Sequence, residues 1–141
     1  MPACVFCGIV NGSPAHRVLD TDAACAFLDN RPLFPGHVLV VPRAHVQTLG
    51  DLPAEAVGPF FLEVKRIARA VERGLDAEGT FVAMNNKISQ SVPHLHVHVV
   101  PRKSKDGLRG FFWPRAKYAS VAEADDVALR IREALERDLE A

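Results

Sequence analysis

An α+β fold with a mainly antiparallel five-stranded sheet is what this chain of 141 residues predicts. Three observations lead there. Two short apolar runs separated by Asp20-Thr21-Asp22 read as a β-hairpin, and a third run follows Pro35-Gly36. Residues 53–75 repeat apolar side chains at steps of three and four, the mark of one long helix. Two more strands follow that helix, the second carrying histidine at alternate positions, and a final helix closes the chain at about residues 120–139.

Composition bounds the possibilities. One compact domain over residues 1–141 is expected, with 48% apolar and 24% charged residues and a formal net charge of zero. That balance gives no sign of a nucleic-acid or membrane partner. No apolar run approaches the roughly 20 residues of a membrane span, and no secretory signal is visible, so a cytoplasmic protein is expected. Three cysteines without such a signal do not read as a disulfide framework.

In chain order, Cys4-Val5-Phe6-Cys7 comes first, followed by Gly8-Ile9-Val10. Its C-x-x-C spacing suits two ligands of one metal ion, a redox pair, or two plain reduced thiols. Residues 17–21 and 23–28 form the hairpin, with Cys25 read as a small buried residue. Asp29 ends the second strand before Asn30-Arg31-Pro32 and reads as a turn-forming residue. His37-Val38-Leu39-Val40-Val41 is nearly continuous in apolar residues and reads as a central strand. Gly58-Pro59 predicts a late start or a kink in the long helix. Residues 80–85 are the next strand, 85–93 a loop, and Ser120-Val121-Ala122-Glu123 a capping box before the helix stripe Val127, Ile131, Leu135 and Leu139.

His94-Leu95-His96-Val97-His98-Val99-Val100 carries the chemistry. On a strand, side chains alternate between faces, so three imidazoles form one row while Leu95, Val97 and Val99 enter a core. Three of the chain's six histidines at alternate positions are hard to assign to solubility. They are a metal platform, or a site where one imidazole attacks and another handles protons and charge.

With Gln90 and Ser91 before it, this His-φ-His-φ-His-φ-φ stretch resembles the histidine triad (HIT) nucleotide hydrolases and transferases. The resemblance runs from about Cys4 to Tyr118 and includes Phe27-Leu28-Asp29 and the block from Pro35 to Pro42. It implies a HIT-like fold, a purine nucleotide as partner, and a homodimer whose sheets join across a two-fold axis. The zinc-carrying bacterial branch has C-x-x-C…His…His at matching places, which implies a structural zinc on Cys4, Cys7, His45 and His94, and no organic cofactor. Asp29 would then accept from ribose hydroxyls, Phe6, Ile9 and Phe27 would line the base slot, and His37 would be a fourth histidine near the phosphate. Asn85 and Gln90 would belong to the phosphate loop. That loop is shorter here than in relatives, and Ser89 stands where glycine is usual.

On this footing His96 is assigned as the nucleophile that attacks an α-phosphorus and forms a nucleotidyl-histidine, which water then hydrolyses. No acidic cluster reads as a magnesium site, so His98, Gln90 and Ser91 are assigned to the phosphoryl oxygens and leaving group, with His37 supporting His98. The leaving group stays open among a phosphoramidate, a dinucleoside polyphosphate and an acyl adenylate. The transferase branch has His-Pro-His where this chain has His94-Leu95-His96. Two other readings stand beside this one: a non-catalytic nucleotide sensor, and a metallohydrolase with three histidines on one ion. Basic residues 102–105 and aromatic residues 111–113 suit a second nucleotide or a polyphosphate tail, or else packing on a partner subunit.

Overall fold

The computed structural model describes residues 3–109 and 114–138. It divides into two compact units, residues 1–106 and 107–141.

The first unit holds α1 (Val5–Val10), β1 (Arg17–Asp20), β2 (Cys25–Leu28), β3 (Val38–Val41), α2 (Ala54–Gly74), β4 (Gly79–Ala83) and β5 (Val97–Arg102). The strands lie in the order β1-β2-β3-β5-β4, every neighbour antiparallel. The hairpin and β3 are laid down in sequence. The α2 crossover then carries the chain past one vacant position, so β4 falls at the far edge and β5 enters between β3 and β4. The triad strand is therefore central, paired on both sides.

Strand alternation divides the interior into two layers. Ala26, Val38, Val40, Val97 and Val99 face α2 and pack with Phe60, Val64, Ile67 and Val71. Cys25, Phe27, Leu39 and Val41 point the other way and pack with Phe6 and Ile9 of α1. Leu95, Val97 and Val99 are fully buried, as the alternation predicts. The ladder itself begins only at Val97, so His94 and His96 precede it. Their segment is held by the Leu95 N–H, which donates to the Val46 carbonyl at 2.8 Å.

The long helix starts at Ala54 and runs through Pro59. Pro59 leaves the Glu55 carbonyl without its i+4 donor, and both residues are exposed, so water reaches the site. Gly36 suits the turn into β3 because its φ of +99° is a conformation that side chains rarely adopt, and a Cβ there would also crowd the Leu75 side chain. The six-residue helix α1 was not anticipated. It is too short for a periodicity signal, and Gly8 disguises it.

In the second unit, α3 (Val121–Arg137) is capped by Ser120, whose Oγ accepts from the Glu123 N–H at 3.1 Å. Ile131 and Leu135 of its apolar stripe are exposed. Leu139 and residues 110–113 lie outside the described residues.

Candidate functional site

A cleft of about 790 Å³ opens between α1 and the sheet face carrying the triad. Phe6, Ile9, Phe27, Asp29, Ser91, His96 and His98 line it. Phe6, Ile9 and Phe27 are at the same time core residues, at 7%, 9% and 3% exposure, so the apolar wall of the cleft is an edge of the α1-side core. Phe6 packs against the Phe27 ring at 5.4 Å and edge-on to the His96 ring at 5.1 Å.

The partners of the rings fix their tautomers. His96 Nδ1 lies 2.8 Å from the His94 carbonyl oxygen and must carry a proton to donate there, so Nε2 keeps its lone pair. The Leu33 N–H donates to His37 Nδ1 at 3.1 Å, which leaves the His37 proton on Nε2. That Nε2–H donates to His98 Nδ1 at 2.9 Å, so the His98 proton sits on Nε2. One ring thus presents a lone pair and its neighbour, 5.1 Å away between centroids, presents a donor. Burial, and then repulsion from the His96 and His37 rings, pushes His98 down to about 4; burial also lowers His37, against the opposing charge of Asp29.

Asp29 is a turn residue that also lines the cleft. One carboxylate oxygen accepts from the Arg31 N–H at 2.9 Å, as a turn residue does, and the other stands 3.6 Å from His37 Nε2 at the cleft. Asn85 and Gln90 do not line the cleft. The Asn85 amide donates to the Ser89 carbonyl, while Gln90 accepts from the Lys87 N–H and donates to the Gln47 carbonyl at 2.6 Å. These contacts brace a loop in which Lys87 (φ 72°) and Ser89 (φ 60°) are left-handed. Ser13, Asn30 and Arg31 line the cleft without having been singled out. Only the fold brings those loop residues to the triad. In the basic loop, Arg102 is paired with Asp106 at 2.6 Å.

Beside the cleft, Cys4, Cys7, His45 and His94 converge, their ligand atoms all within 4.8 Å. Cys7 Sγ lies 3.2 Å from His45 Nδ1, and both sulfurs lie 3.5 Å from His94 Nδ1. A tetrahedral zinc with usual bond lengths has S···N edges of about 3.6 Å. His94 Nε2 donates to the Pro42 carbonyl at 2.9 Å, which turns the Nδ1 lone pair toward the sulfurs. The donor set and its geometry fit zinc.

The three triad rings do not surround one point among the described residues: His94 belongs to the cysteine cluster, His98 groups with Asp29 and His37, and His96 joins neither. Nor does the Asp29-His37-His98 group suit a cation. The Leu33 N–H already occupies His37 Nδ1, so metal on Nε2 would require that ring to lose both protons.

An open antiparallel sheet whose central strand, with the segment leading into it, carries alternating histidines, two lining the cleft and one in the adjoining cysteine cluster, defines a histidine triad protein. The chain belongs to the HIT family: the HIT domain model matches residues 11–105. It is 40% identical over 108 residues to an uncharacterized HIT-like protein of Mycobacterium tuberculosis, covering 74% of this chain and 75% of that one. It is 33% identical over 114 residues to the adenosine 5'-monophosphoramidase HNT1 of Saccharomyces cerevisiae (79% and 70% covered). It is also 33% identical over 108 residues to the adenylylsulfatase HINT3 of Arabidopsis thaliana (74% and 55% covered). A crystal structure of a HIT family member from Bacillus subtilis superposes with a TM-score of 0.84 at 30% identity, over 94% of this chain and 96% of that one. A Zn-bound histidine triad protein from Mycobacterium smegmatis gives 0.71 at 36% identity, over 94% and 97%.

Proposed function

We propose that the protein hydrolyses a purine nucleotide derivative at its α-phosphorus, with His96 as the covalent nucleophile. The observation that carries this reading is the His96 ring: Nδ1 is held by the His94 carbonyl, and the other nitrogen is left free in a cleft with an apolar wall. Relatives named as a phosphoramidase and an adenylylsulfatase support a nucleotide hydrolase of this family.

The base lies between Phe6, Ile9 and Phe27, and Asp29 accepts from the ribose hydroxyls. His96 Nε2 attacks phosphorus, the leaving group departs, and a nucleotidyl-histidine forms. The Nε2–H of His98, oriented by His37, donates to the phosphoryl oxygen as charge develops there. Ser91 stands at the leaving-group end. Water then releases the nucleoside monophosphate. Cys4, Cys7, His45 and His94 hold a zinc ion, which supplies a structural cross-link between α1 and the triad segment. A homodimer whose sheets join across a two-fold axis is part of this reading, and so is a cytoplasmic location; no described helix is long and apolar enough to cross a membrane.

The test is His96→Ala against adenosine phosphoramidate, diadenosine polyphosphates and acyl adenylates. The wild type should hydrolyse at least one, and the variant should lose at least roughly a thousandfold in turnover, about 4 kcal/mol of barrier, while still binding AMP. Near-wild-type turnover by the variant contradicts the covalent assignment. A wild type that binds AMP and hydrolyses none of them is the sensor.

A further inference from the structure

Cys4 and Cys7 stand at opposite ends of one helical turn with Phe6 between them. Cys4 lines the cleft, Cys7 meets the exposed His45, and both cysteines are partly exposed. The Cys7 N–H donates to Cys4 Sγ at 3.4 Å, and the two sulfurs lie within 4.8 Å of each other. Residues three apart on one helical turn bring their sulfurs close enough for side-chain rotation to pair them. Cys25, at 0% exposure, is the inert internal comparison.

Two contacts tie this pair to the cleft. Phe6 packs on Phe27 and on the edge of the His96 ring. His94 shares the cluster with the sulfurs through its ring and orients His96 through its carbonyl. A change of sulfur bonding thus acts on the base slot from the α1 side and on the nucleophile from the other.

We propose that Cys4 and Cys7 are a reversible oxidation site: hydrogen peroxide joins them as a disulfide, expels the zinc ion and weakens nucleotide binding in the cleft. This rests on the reading that the four residues hold zinc. In the first step the Cys7 sulfur attacks one peroxide oxygen. The O–O bond breaks, the departing hydroxide is protonated to water, and a sulfenic acid forms. The Cys4 sulfur then attacks that sulfur, the S–S bond forms, the S–O bond breaks, and a second hydroxide leaves as water. The two sulfurs together lose two electrons, the peroxide gains them, and zinc departs as the unchanged dication. With both sulfur ligands gone, the two imidazoles that remain hold the ion weakly. A dithiol with added zinc reverses the process.

The experiment uses full-length zinc-loaded protein and its Cys25→Ala variant, treated with hydrogen peroxide. Released zinc is read with a chromogenic chelator, the Cys4–Cys7 disulfide by peptide mass, and AMP affinity by calorimetry. Expected are one zinc released per disulfide formed, a severalfold weaker AMP affinity, and recovery of both with dithiothreitol and zinc. Retained zinc with both thiols free, irreversible sulfinate in place of a disulfide, or unchanged AMP affinity after disulfide formation overturns the proposal. Zinc-loaded protein that holds no zinc before peroxide is added overturns instead the reading on which it rests.

Discussion

The Nδ1 proton of His96 is given to the main-chain oxygen of His94 at 2.8 Å, and this one bond leaves the free lone pair of His96 on Nε2. His94 thereby touches two sites, with its ring in the cysteine cluster and its carbonyl on His96, the proposed nucleophile. The candidate metal cluster and the cleft thus share one short segment, through His94 and His96.

The proposed role of His37 runs through His98. His37 is 3% exposed, and its Nε2–H fixes which nitrogen of His98 carries the proton. His37→Ala should lower kcat by roughly 10²-fold, in the range of losing one oxyanion donor, and leave AMP affinity within about threefold. His37→Gln, which restores an N–H near that position, should recover part of the loss. Steady-state kinetics separate these outcomes, and a loss confined to KM would contradict the role.

Acid should destabilise the fold through the same pair. An unfolded histidine takes up a proton near pH 6.5, whereas folded His98 is pushed down to about 4 and His37 is lowered by burial. Between those limits the unfolded chain binds protons that the folded chain refuses. Stability contributed by these rings is therefore complete above about pH 6.5 and is lost as pH falls toward about 4. The urea midpoint should be lower at pH 5 than at pH 7.5, and the His98 ring signals should not shift in that interval. Equal midpoints together with a His98 titration near the ordinary value would contradict this.

Removing zinc should cost stability before it costs chemistry. Dialysis against a chelator should lower Tm by on the order of 10 °C, with activity declining in step with the folded fraction. Circular dichroism and hydrolysis assays on the same samples measure both. Full loss of activity from protein that remains folded would contradict a purely structural role for the metal.

Much of the architecture was legible because it is periodic. The run Val57, Phe60, Phe61, Val64, Ile67, Ala68 and Val71 gave α2, and continuous apolar residues gave β3 its central place. The triad's alternation correctly separated Leu95, Val97 and Val99 from the imidazoles, although only His98 of the three stands within the ladder. What stayed hidden depends on contacts distant in sequence. No local pattern shows that Gln90 is taken by the Gln47 carbonyl, or that Arg31 and Ser13 reach the cleft. The Leu33 N–H that decides the tautomer of His37 is a backbone group, and a backbone group leaves no trace in the residue alphabet.

The central claim is a bond from His96 Nε2 to phosphorus, and rapid-quench labelling tests it most directly. With a nucleotide radiolabelled at the α-phosphorus, label should appear on His96 within the first turnover, at a level approaching one adduct per active site if its hydrolysis is the slower step, and should be absent in His96→Ala. Product that accumulates while no label is ever trapped on His96 would contradict the account.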